Sequence, residues 1–367
     1  MGSRLRAAIG LIAVALTAAL LPAAAQAQTQ TQAQTQTQTQ TRTSASSERA
    51  RTAGTVLFSD DFGSGFDSSD SGPWMRLPIG DLPGGDGVTS TSSQGLKVVP
   101  SGTDPLTGAP AFAFTSGQQS AGGAGTADRM KWLAWPRHFA ASGTPGYDTP
   151  ATGAMTCTTT MSARTRGSER HPFGSAVTDA RNDPRLAAGA VVAGDLESGV
   201  ILGFLVTDNK AYALYERIRV PGTDYAAYSY AVPVATFARG TSPTYQVVLD
   251  RGRSRVTWKI NGATVLSVNA IGHRALDRRY LLVDHGGTDQ TVLPRQLNCG
   301  VGTFTLLDGA GADGGGLVRL DSDRSYYAPR QGEPTPQTFI DDSSLPANRL
   351  WGQGAELQVR RVSIGVG

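Results

Sequence analysis

The feature that most constrains the fold of this chain is a series of short runs rich in β-branched and aromatic residues, separated by Gly, Pro, Asn and Asp. Helical periodicity is nearly absent. The clearest runs lie at 186–192, 199–206, 211–220, 225–232, 245–250, 256–260 and 264–268. Asn261-Gly262 separates the last two runs, and this dipeptide is the strongest short signal for a β-hairpin. Many short strands joined by hairpins predict an all-β fold, a two-sheet antiparallel β-sandwich.

The amino terminus predicts export. Arg4 and Arg6 precede an apolar run at 7–21, Pro22 interrupts that run, and residues 25–27 (Ala-Gln-Ala) supply a small-x-small cleavage pattern. The run is too short to cross about 30 Å of hydrocarbon. Residues 1–27 are therefore predicted to be a signal peptide, and the mature chain is expected to be secreted, with no membrane span.

The rest of the chain divides into a linker and one domain. Residues 28–42 are almost only Gln, Thr and Ala, and the sequence stays polar to residue 54, so 28–54 is predicted to be a disordered linker. Residues 55–367 are predicted to form a single β-sandwich domain, expected to be a monomer. Without Arg4 and Arg6 the formal net charge falls by two, from +3 to +1. The basic residues are scattered, so nucleic acid is not an expected partner.

Cys157 and Cys299 are the two cysteines of the sequence. Neither has neighbours with the spacing of a zinc site. In an oxidising compartment two cysteines usually pair, which predicts a disulfide. The alternative is a pair of buried free thiols.

Two stretches resemble the concanavalin A-like jelly rolls, the group of laminarinases and legume lectins. One is the predicted hairpin with Trp258 and Asn261-Gly262, since that group has a Trp-bearing strand that turns over Asp/Asn-Gly. The other is the opening run 56–62. Most of residues 56–367 also resembles an uncharacterised family of secreted bacterial proteins, through the runs 212–217, 284–287, 294–297 and 302–307. The first resemblance implies a jelly-roll sandwich, and the second implies no activity.

Glu216 and His285 are the best single candidates for catalysis. Glu216 shares one face of a predicted strand with Tyr212 and Leu214, and a carboxylate on an apolar face must be hydrogen-bonded, paired with a cation or protonated. When protonated it would suit a general acid, and the alternative is a buried ion pair with an arginine. His285 ends a predicted strand before two glycines, where it would approach a ligand or form a hydrogen bond at the rim of the sheet.

Asp195 and Glu197 are the nearest match to the Glu-x-Asp-x-x-Glu pattern of laminarinase-like enzymes. On a strand, two residues this far apart share a face with Cα atoms about 6.6 Å apart, and glycoside hydrolysis needs two carboxylates. The third carboxylate of the pattern is absent and glycines flank the pair. The alternative is a solvated turn between two strands.

Aromatic and arginine side chains on two successive runs predict a ligand-binding groove, since sugars stack on aromatic rings and arginines bond sugar hydroxyls. The candidates are Tyr212, Tyr215, Arg217, Tyr228 and Tyr230. The predicted function is binding of an extracellular polysaccharide or cell-wall glycan in a concave groove. Two alternatives stay open: a glycan-cleaving enzyme, either a glycoside hydrolase or a polysaccharide lyase, and a non-catalytic structural protein of the cell envelope.

No cofactor or metal site is predicted. The sequence lacks the phosphate-binding glycine motif and the nucleophilic-serine motif. Aspartates at 60–61, at 321 and 323, and at 341–342 are oxygen-rich, which makes structural calcium an alternative. They lack the regular spacing of a calcium loop, and solvated turns are the favoured interpretation.

Overall fold

A computed structural model of the chain describes residues 54–79, 82–109, 129–220, 222–320, 325–329, 333–344 and 354–367. Gly54–Gly367 forms one compact unit. The predicted signal peptide at 1–27, and the predicted linker at 28–54 apart from its last residue, lie outside the described residues and stay predictions. No helix among the described residues has the length and apolar character that crossing a membrane requires.

The described part of the chain is almost entirely β-structure, with four single-turn 3-10 segments at Ser168–Arg170, Gly174–Ala176, Arg251–Arg253 and Arg278–Tyr280. Its strands are β1 (Thr55–Asp60), β2 (Trp74–Arg76), β3 (Val88–Ser92), β4 (Gly95–Val99), β5 (Met130–Pro136), β6 (Tyr147–Asp148), β7 (Met155–Arg166), β8 (Ala188–Asp195), β9 (Val200–Val206), β10 (Lys210–Arg217), β11 (Tyr228–Thr236), β12 (Thr244–Asp250), β13 (Arg255–Ile260), β14 (Ala263–Asn269), β15 (Leu281–Asp284), β16 (Gln296–Phe304), β17 (Gly316–Val318), β18 (Phe339–Asp341) and β19 (Gly354–Val366).

These strands form two large antiparallel sheets. Sheet 1 has the order β14-β13-β12-β7-β19-β4-β3, and β1 also pairs with β19. Sheet 2 has the order β15-β11-β10-β9-β8-β16-β5-β2, and β6 also pairs with β16. The predicted two-sheet antiparallel β-sandwich is confirmed, and its first and last strands pair with each other. A small parallel pair, β17 and β18, lies in the chain that follows β16.

Alternation along β7 shows how the sequence builds sheet 1. Met155, Cys157, Thr159 and Met161 are buried, while residues 156, 158 and 160 between them are partly exposed. Because successive strand side chains point to opposite faces, one face of β7 packs on the core and the other meets solvent. All eight residues of β8, in sheet 2, are buried instead. Sheet 2 is therefore covered on both faces near its centre.

The hairpin predicted at Asn261-Gly262 joins β13 to β14. Both residues have positive φ, 50° for Asn261 and 83° for Gly262. A two-residue turn of this type requires left-handed backbone at both positions, which Asn and Gly adopt with little strain. The Asn261 side chain also accepts a hydrogen bond from the backbone of Thr244, which ties the turn to the neighbouring strand β12.

The core lies between the two sheets and is closed by a covalent link. Trp258 of sheet 1 is fully buried, and its Nε1 donates a 2.7 Å hydrogen bond to the carbonyl of Gly203 in sheet 2. Cys157 on β7 and Cys299 on β16 form a disulfide across the sandwich, with their Cα atoms 5.7 Å apart. The predicted pairing of the two cysteines is confirmed, and it joins the central strands of opposite sheets.

Candidate functional site

The face of sheet 2 that points away from sheet 1, here called the outer face, carries the candidate chemistry. Alternation on β10 sends Ala213 and Tyr215 into the core and Leu214 to the outer face. The chain after β16 covers part of this face, since Leu306 and Tyr326 belong to one buried cluster with Leu214. The outer face holds three features: a buried polar cluster, an open cleft and an apolar cavity.

The buried polar cluster pairs Glu216 with an arginine. The Glu216 carboxylate accepts hydrogen bonds from Arg129 Nη1 and from the Ser229 hydroxyl, both at 2.5 Å. Arg129 Nη2 donates to Asp308 at 2.6 Å, and the Tyr326 hydroxyl donates to the same Asp308 oxygen at 3.1 Å. Burial acts to lower the pKa of Arg129, but Asp308 and Glu216 outweigh it and raise that pKa. Arg129 is thus a permanent cation that binds two carboxylates. Glu216 therefore forms a buried ion pair with an arginine, which was the alternative to a general acid.

His285 lies beside this cluster. Its ring packs on Tyr326 with centroids 4.5 Å apart, and its Nδ1 lies 2.9 Å from the carbonyl of Ser325. Burial, together with the positive charge of Arg129, lowers the pKa of His285 to about 4. The ring is therefore neutral at ordinary pH. Its Nδ1 is engaged by a backbone carbonyl, so this nitrogen acts as the hydrogen-bond donor.

Asp195 and Glu197 organise the turn between β8 and β9. Asp195 is buried and accepts hydrogen bonds from the backbone of Glu197, the hydroxyl of Ser198 and the amide of Gln296. Glu197 pairs instead with Arg295 at 2.7 Å. A hydrogen bond from the Ser142 side chain, and then Arg295, hold the pKa of Glu197 below its usual range. Asp195 and Glu197 thus bind different partners, which agrees with the alternative that they belong to a turn between two strands.

The predicted binding tyrosines are divided between the two faces of sheet 2. Tyr215, Tyr228 and Tyr230 are fully buried in the core. The hydroxyls of Tyr215 and Tyr228 both donate to the carbonyl of His273, at 2.9 and 3.2 Å. The expectation that these three rings line a groove is corrected by strand alternation, since Tyr215 and Tyr230 are paired neighbours that point inward. Burial raises the pKa of Tyr228.

Arg217 also belongs to the core side of β10. Its guanidinium stacks on the ring of Tyr225, 3.7 Å from the centroid, and its Nη1 donates to the carbonyl of Gln290. Burial lowers the pKa of Arg217. The side chain is buried at the end of the strand and holds loops together, so it does not share a surface with Glu216.

Tyr212 is the one predicted binding tyrosine on the outer face, and it lines an open cleft of about 390 Å³. Its hydroxyl donates to the carbonyl of Asn182 at 2.7 Å, which fixes the ring. Burial and the carboxylates of Asp183 and Asp179 raise the pKa of Tyr212. Tyr280 lines the same cleft, and Arg279 lies 5.1 Å from the centre of its ring.

Charged side chains of both signs surround the two rings of the cleft. Lys210 donates to Asp179 at 2.9 Å, and Asp183 pairs with the buried Arg185 at 2.6 Å. Partial burial acts to raise the pKa of Asp179, but hydrogen bonds from Lys210 and Asn182 outweigh it and lower that pKa. The cleft therefore presents fixed hydrogen-bonding groups beside aromatic surface.

Sequence reasoning missed most of this cleft and most of the polar cluster. Arg129 reaches Glu216 across 87 positions of sequence and Asp308 across 179. No local pattern marks such distant partners. The tyrosines of β10 and β11 carried a usable signal, because period-two alternation alone assigns Tyr212 and Tyr215 to opposite faces of the strand.

An apolar cavity of about 200 Å³ lies on the outer face beside the polar cluster. Side chains from five strands and from adjoining segments, including the chain after β16, line it, among them Leu133, Trp135, Val192, Ile201 and Leu205. Arg129, Glu216 and Asn298 are its polar lining residues.

The aspartates considered as calcium ligands form hydrogen bonds within turns and to nearby side chains, in the parts of the chain that the structure describes. Asp60 accepts hydrogen bonds from the backbone of Phe62 and from Trp74 Nε1, and Asp341 accepts one from the backbone of Ser343. Residues 321 and 323 lie outside the described residues. Across the described ranges, no group of three or more His, Cys, Asp or Glu side chains is arranged to hold a metal ion.

Comparison with protein families gives one match over most of the chain, a family of unknown function designated DUF6081, over residues 59–367. The chain belongs to this family. This result agrees with the sequence analysis, which found that most of residues 56–367 resembles an uncharacterised family. Uncharacterized protein L829 of Acanthamoeba polyphaga mimivirus is 26% identical over a match that covers 35% of this chain. The same match covers 42% of the viral protein, so the chain spans less than half of that relative.

Solved structures with similar folds share little sequence with this DUF6081 chain. Alginate lyase A1-II' is 11% identical with a TM-score of 0.40, and the match covers 80% of this chain and 95% of the lyase. The endo-1,3-beta-glucanase of Streptomyces sioyaensis is 12% identical with a TM-score of 0.35, covering 86% and 97%. At these values neither structure supports an inference about activity.

Proposed function

We propose that this chain is a non-catalytic carbohydrate-binding protein that holds a glycan in the cleft lined by Tyr212 and Tyr280. The observation that carries the proposal is the combination of two tyrosine rings with Asp179, Lys210 and Arg279 around one open cleft of about 390 Å³. Ligand sites of this size pair apolar ring surface with a few fixed polar groups. A pyranose ring offers the matching chemistry, with an apolar face and a rim of hydroxyls.

The charge of the cleft favours a neutral or weakly acidic glycan. Three cationic side chains and two carboxylates line it, and the carboxylates are paired with Lys210 and Arg185. Such pairs both donate to and accept from hydroxyls without a large net field. Arg279 is paired as well, with Asp277 at 2.8 Å, so a strongly charged ligand of either sign would find no unpaired counter-charge in the cleft.

Binding is favoured over cleavage because the catalytic candidates already have partners. Glu216 is bound by Arg129, Glu197 by Arg295, and Asp195 by Ser198 and Gln296. His285 is neutral and bonded to a backbone carbonyl. None of these four side chains lines the cleft. Glycoside hydrolysis needs two carboxylates that are free to face the same sugar.

The setting that we propose for this binding is extracellular. The predicted signal peptide at 1–27 and the Cys157–Cys299 disulfide both support secretion, since disulfides persist in oxidising compartments. The ligand would then be an extracellular polysaccharide or a cell-wall glycan, bound by a monomer of the mature chain.

A panel of insoluble polysaccharides tests the proposal. Each polysaccharide is scored for retention of the mature protein and for release of reducing ends. We expect retention on at least one neutral or weakly acidic glycan without release of reducing ends. Tyr280→Ala should weaken that retention about fivefold or more, equal to about 1 kcal/mol of binding free energy. Phe139→Ala is the matched control, because Phe139 is an exposed aromatic residue (52%) outside the cleft.

Three results would contradict the proposal. If the wild-type protein is retained on none of the polysaccharides, the cleft is not a glycan-binding site. Equal losses in Tyr280→Ala and Phe139→Ala would mean that the cleft is not where the glycan binds. Release of reducing ends by wild-type protein would favour the glycan-cleaving alternative.

A further inference from the structure

Register across sheet 2 explains why a cavity exists on its outer face. Leu214 on β10 pairs with Gly203, which pairs with Val192, which pairs with Gly300. The next outer-face row runs from Leu205 through Ala190 to Gly302 and Leu133. Both rows combine large residues with small ones. Leu133, Val192, Leu205 and Leu214 form apolar walls of the cavity, and Ala190, whose side chain is a single methyl group, leaves room between them.

The polar atoms around this cavity show an imbalance between donors and acceptors. Arg129 Nε, Trp135 Nε1 and Asn298 Nδ2 are buried and have no hydrogen-bond partner among the described residues. Arg129, Trp135 and Asn298 are 7%, 6% and 3% exposed, and all three line the cavity. Arginine and tryptophan side chains donate only. A buried donor without a partner destabilises the fold, and an oxygen of a ligand would satisfy it.

We propose that this cavity binds a short linear acyl group, with its carbon chain among the leucines and its oxygen accepting from the unsatisfied donors. An apolar chain matches the walls, and an acceptor oxygen matches N–H groups that have no acceptor of their own. Neither a sugar nor a pure hydrocarbon satisfies both conditions. The donor nitrogens are buried rather than exposed at the cavity surface. Binding as proposed therefore requires the Trp135 or Asn298 side chain to rotate and present its N–H group to the oxygen.

The size of the cavity limits the length of the chain. A water molecule occupies about 30 Å³ in the liquid and a methylene group a similar volume, so about 200 Å³ holds roughly six carbon atoms. Dry apolar cavities of this order bind small apolar molecules. The site is separate from the glycan cleft: Tyr212 and Tyr280 line the cleft and do not line the cavity. The inference therefore does not rest on the proposed function.

A chain-length series measures the site directly. Acetate, butanoate, hexanoate, octanoate and decanoate are titrated into the mature protein by isothermal calorimetry, and the ethyl esters of the same acids are titrated beside them. We expect affinity to rise about fourfold per added methylene up to about six carbons, and then to level off or fall. Tighter binding of the acids would identify free fatty acids as the source of the acyl group, and tighter binding of the esters would identify esterified ones.

Variants locate the site. Ala190→Ile fills the cavity and should abolish hexanoate binding, while Thr158→Ile, on the solvent face of sheet 1, should leave it unchanged. Val192→Phe is a second filling variant should Ala190→Ile not fold. Trp135→Phe keeps an aromatic ring, though a smaller one, and removes the indole N–H donor, and should weaken binding about twofold to tenfold. Tyr280→Ala should have no effect.

Three outcomes would overturn the proposal. The first is that no acid or ester of the series binds. The second is affinity that keeps rising through octanoate and decanoate, since that indicates adsorption to the surface rather than a cavity of limited size. The third is unchanged hexanoate binding in folded Ala190→Ile and Val192→Phe proteins.

Discussion

Replacing Glu216 by glutamine tests whether this carboxylate holds the fold or serves chemistry. Glu216 is 8% exposed and accepts two hydrogen bonds at 2.5 Å, from Arg129 and Ser229. Glutamine keeps the shape and removes the charge, which leaves Arg129 with Asp308 as its single charged partner. Hydrogen bonds to charged groups contribute about 1.5–3 kcal/mol, and breaking a buried ion pair costs about 3–5 kcal/mol. Because Arg129 keeps one carboxylate, we expect a loss of about 3 kcal/mol in the free energy of unfolding.

Glu197→Gln is the matched control for this substitution. Glu197 pairs with Arg295, whose side chain is 68% exposed, and exposed pairs contribute about 0–1 kcal/mol. Denaturant unfolding followed by tryptophan fluorescence and by circular dichroism measures both variants, and equal m-values make the difference one of stability. If Glu216→Gln costs no more than Glu197→Gln, the account of the buried cluster is wrong. If it keeps full stability but loses glycan retention, Glu216 belongs to a functional site.

Three further substitutions test other parts of the structure. Replacing Cys157 and Cys299 by serine opens a loop of 142 residues and should lower the free energy of unfolding by about 5 kcal/mol in the chain-entropy model, measured by denaturant unfolding. The folded-state pKa of His285, about 4, lies below the unfolded value of about 6.5, so its contribution to stability is complete above pH 6.5 and is lost as pH falls toward 4. This loss is on the order of 3 kcal/mol, and His285→Gln should remove that part of the pH dependence. Tyr215→Phe deletes a hydroxyl that bonds to Gly272 and His273, and should cost about 1–3 kcal/mol without changing glycan retention.

Local sequence patterns predict the strands of this fold because strand formation here follows local chemistry. The runs at 245–250, 256–260 and 264–268 correspond to β12, β13 and β14 within one residue at each end. The turn at Asn261-Gly262 needs positive φ at two successive positions, and that pair of residues is the one that adopts it with least strain. The run at 211–220 extends beyond its strand, since β10 ends at Arg217. Where a strand ends depends on its pairing with neighbouring strands, and the residues of the run alone do not determine that pairing.

Long-range contacts explain what the sequence does not predict about the candidate site. Glu216 is a buried carboxylate on an apolar face, as alternation predicts. Its partner Arg129, and Asp308, which binds the same arginine, lie in distant segments. The cleft is assembled from loops at 178–185 and 279–280 together with 310–312, which share no sequence signal. Tyr228 and Tyr230 failed as groove residues for a different reason: aromatic residues fill cores as readily as they line binding sites.

Strand β10 shows how one run of residues divides the outer face into different chemistries. Tyr212, Leu214 and Glu216 occupy successive outer-face positions, about 7 Å apart along the strand. Tyr212 lines the cleft, Leu214 and Glu216 line the cavity, and Glu216 also forms the ion pair with Arg129. The proposed glycan and the proposed acyl group would therefore bind at separate places on one sheet. Because the centre of this sheet is covered on both faces and a disulfide links the sheet to its partner, substitutions in one place should reach the other only through changes in stability.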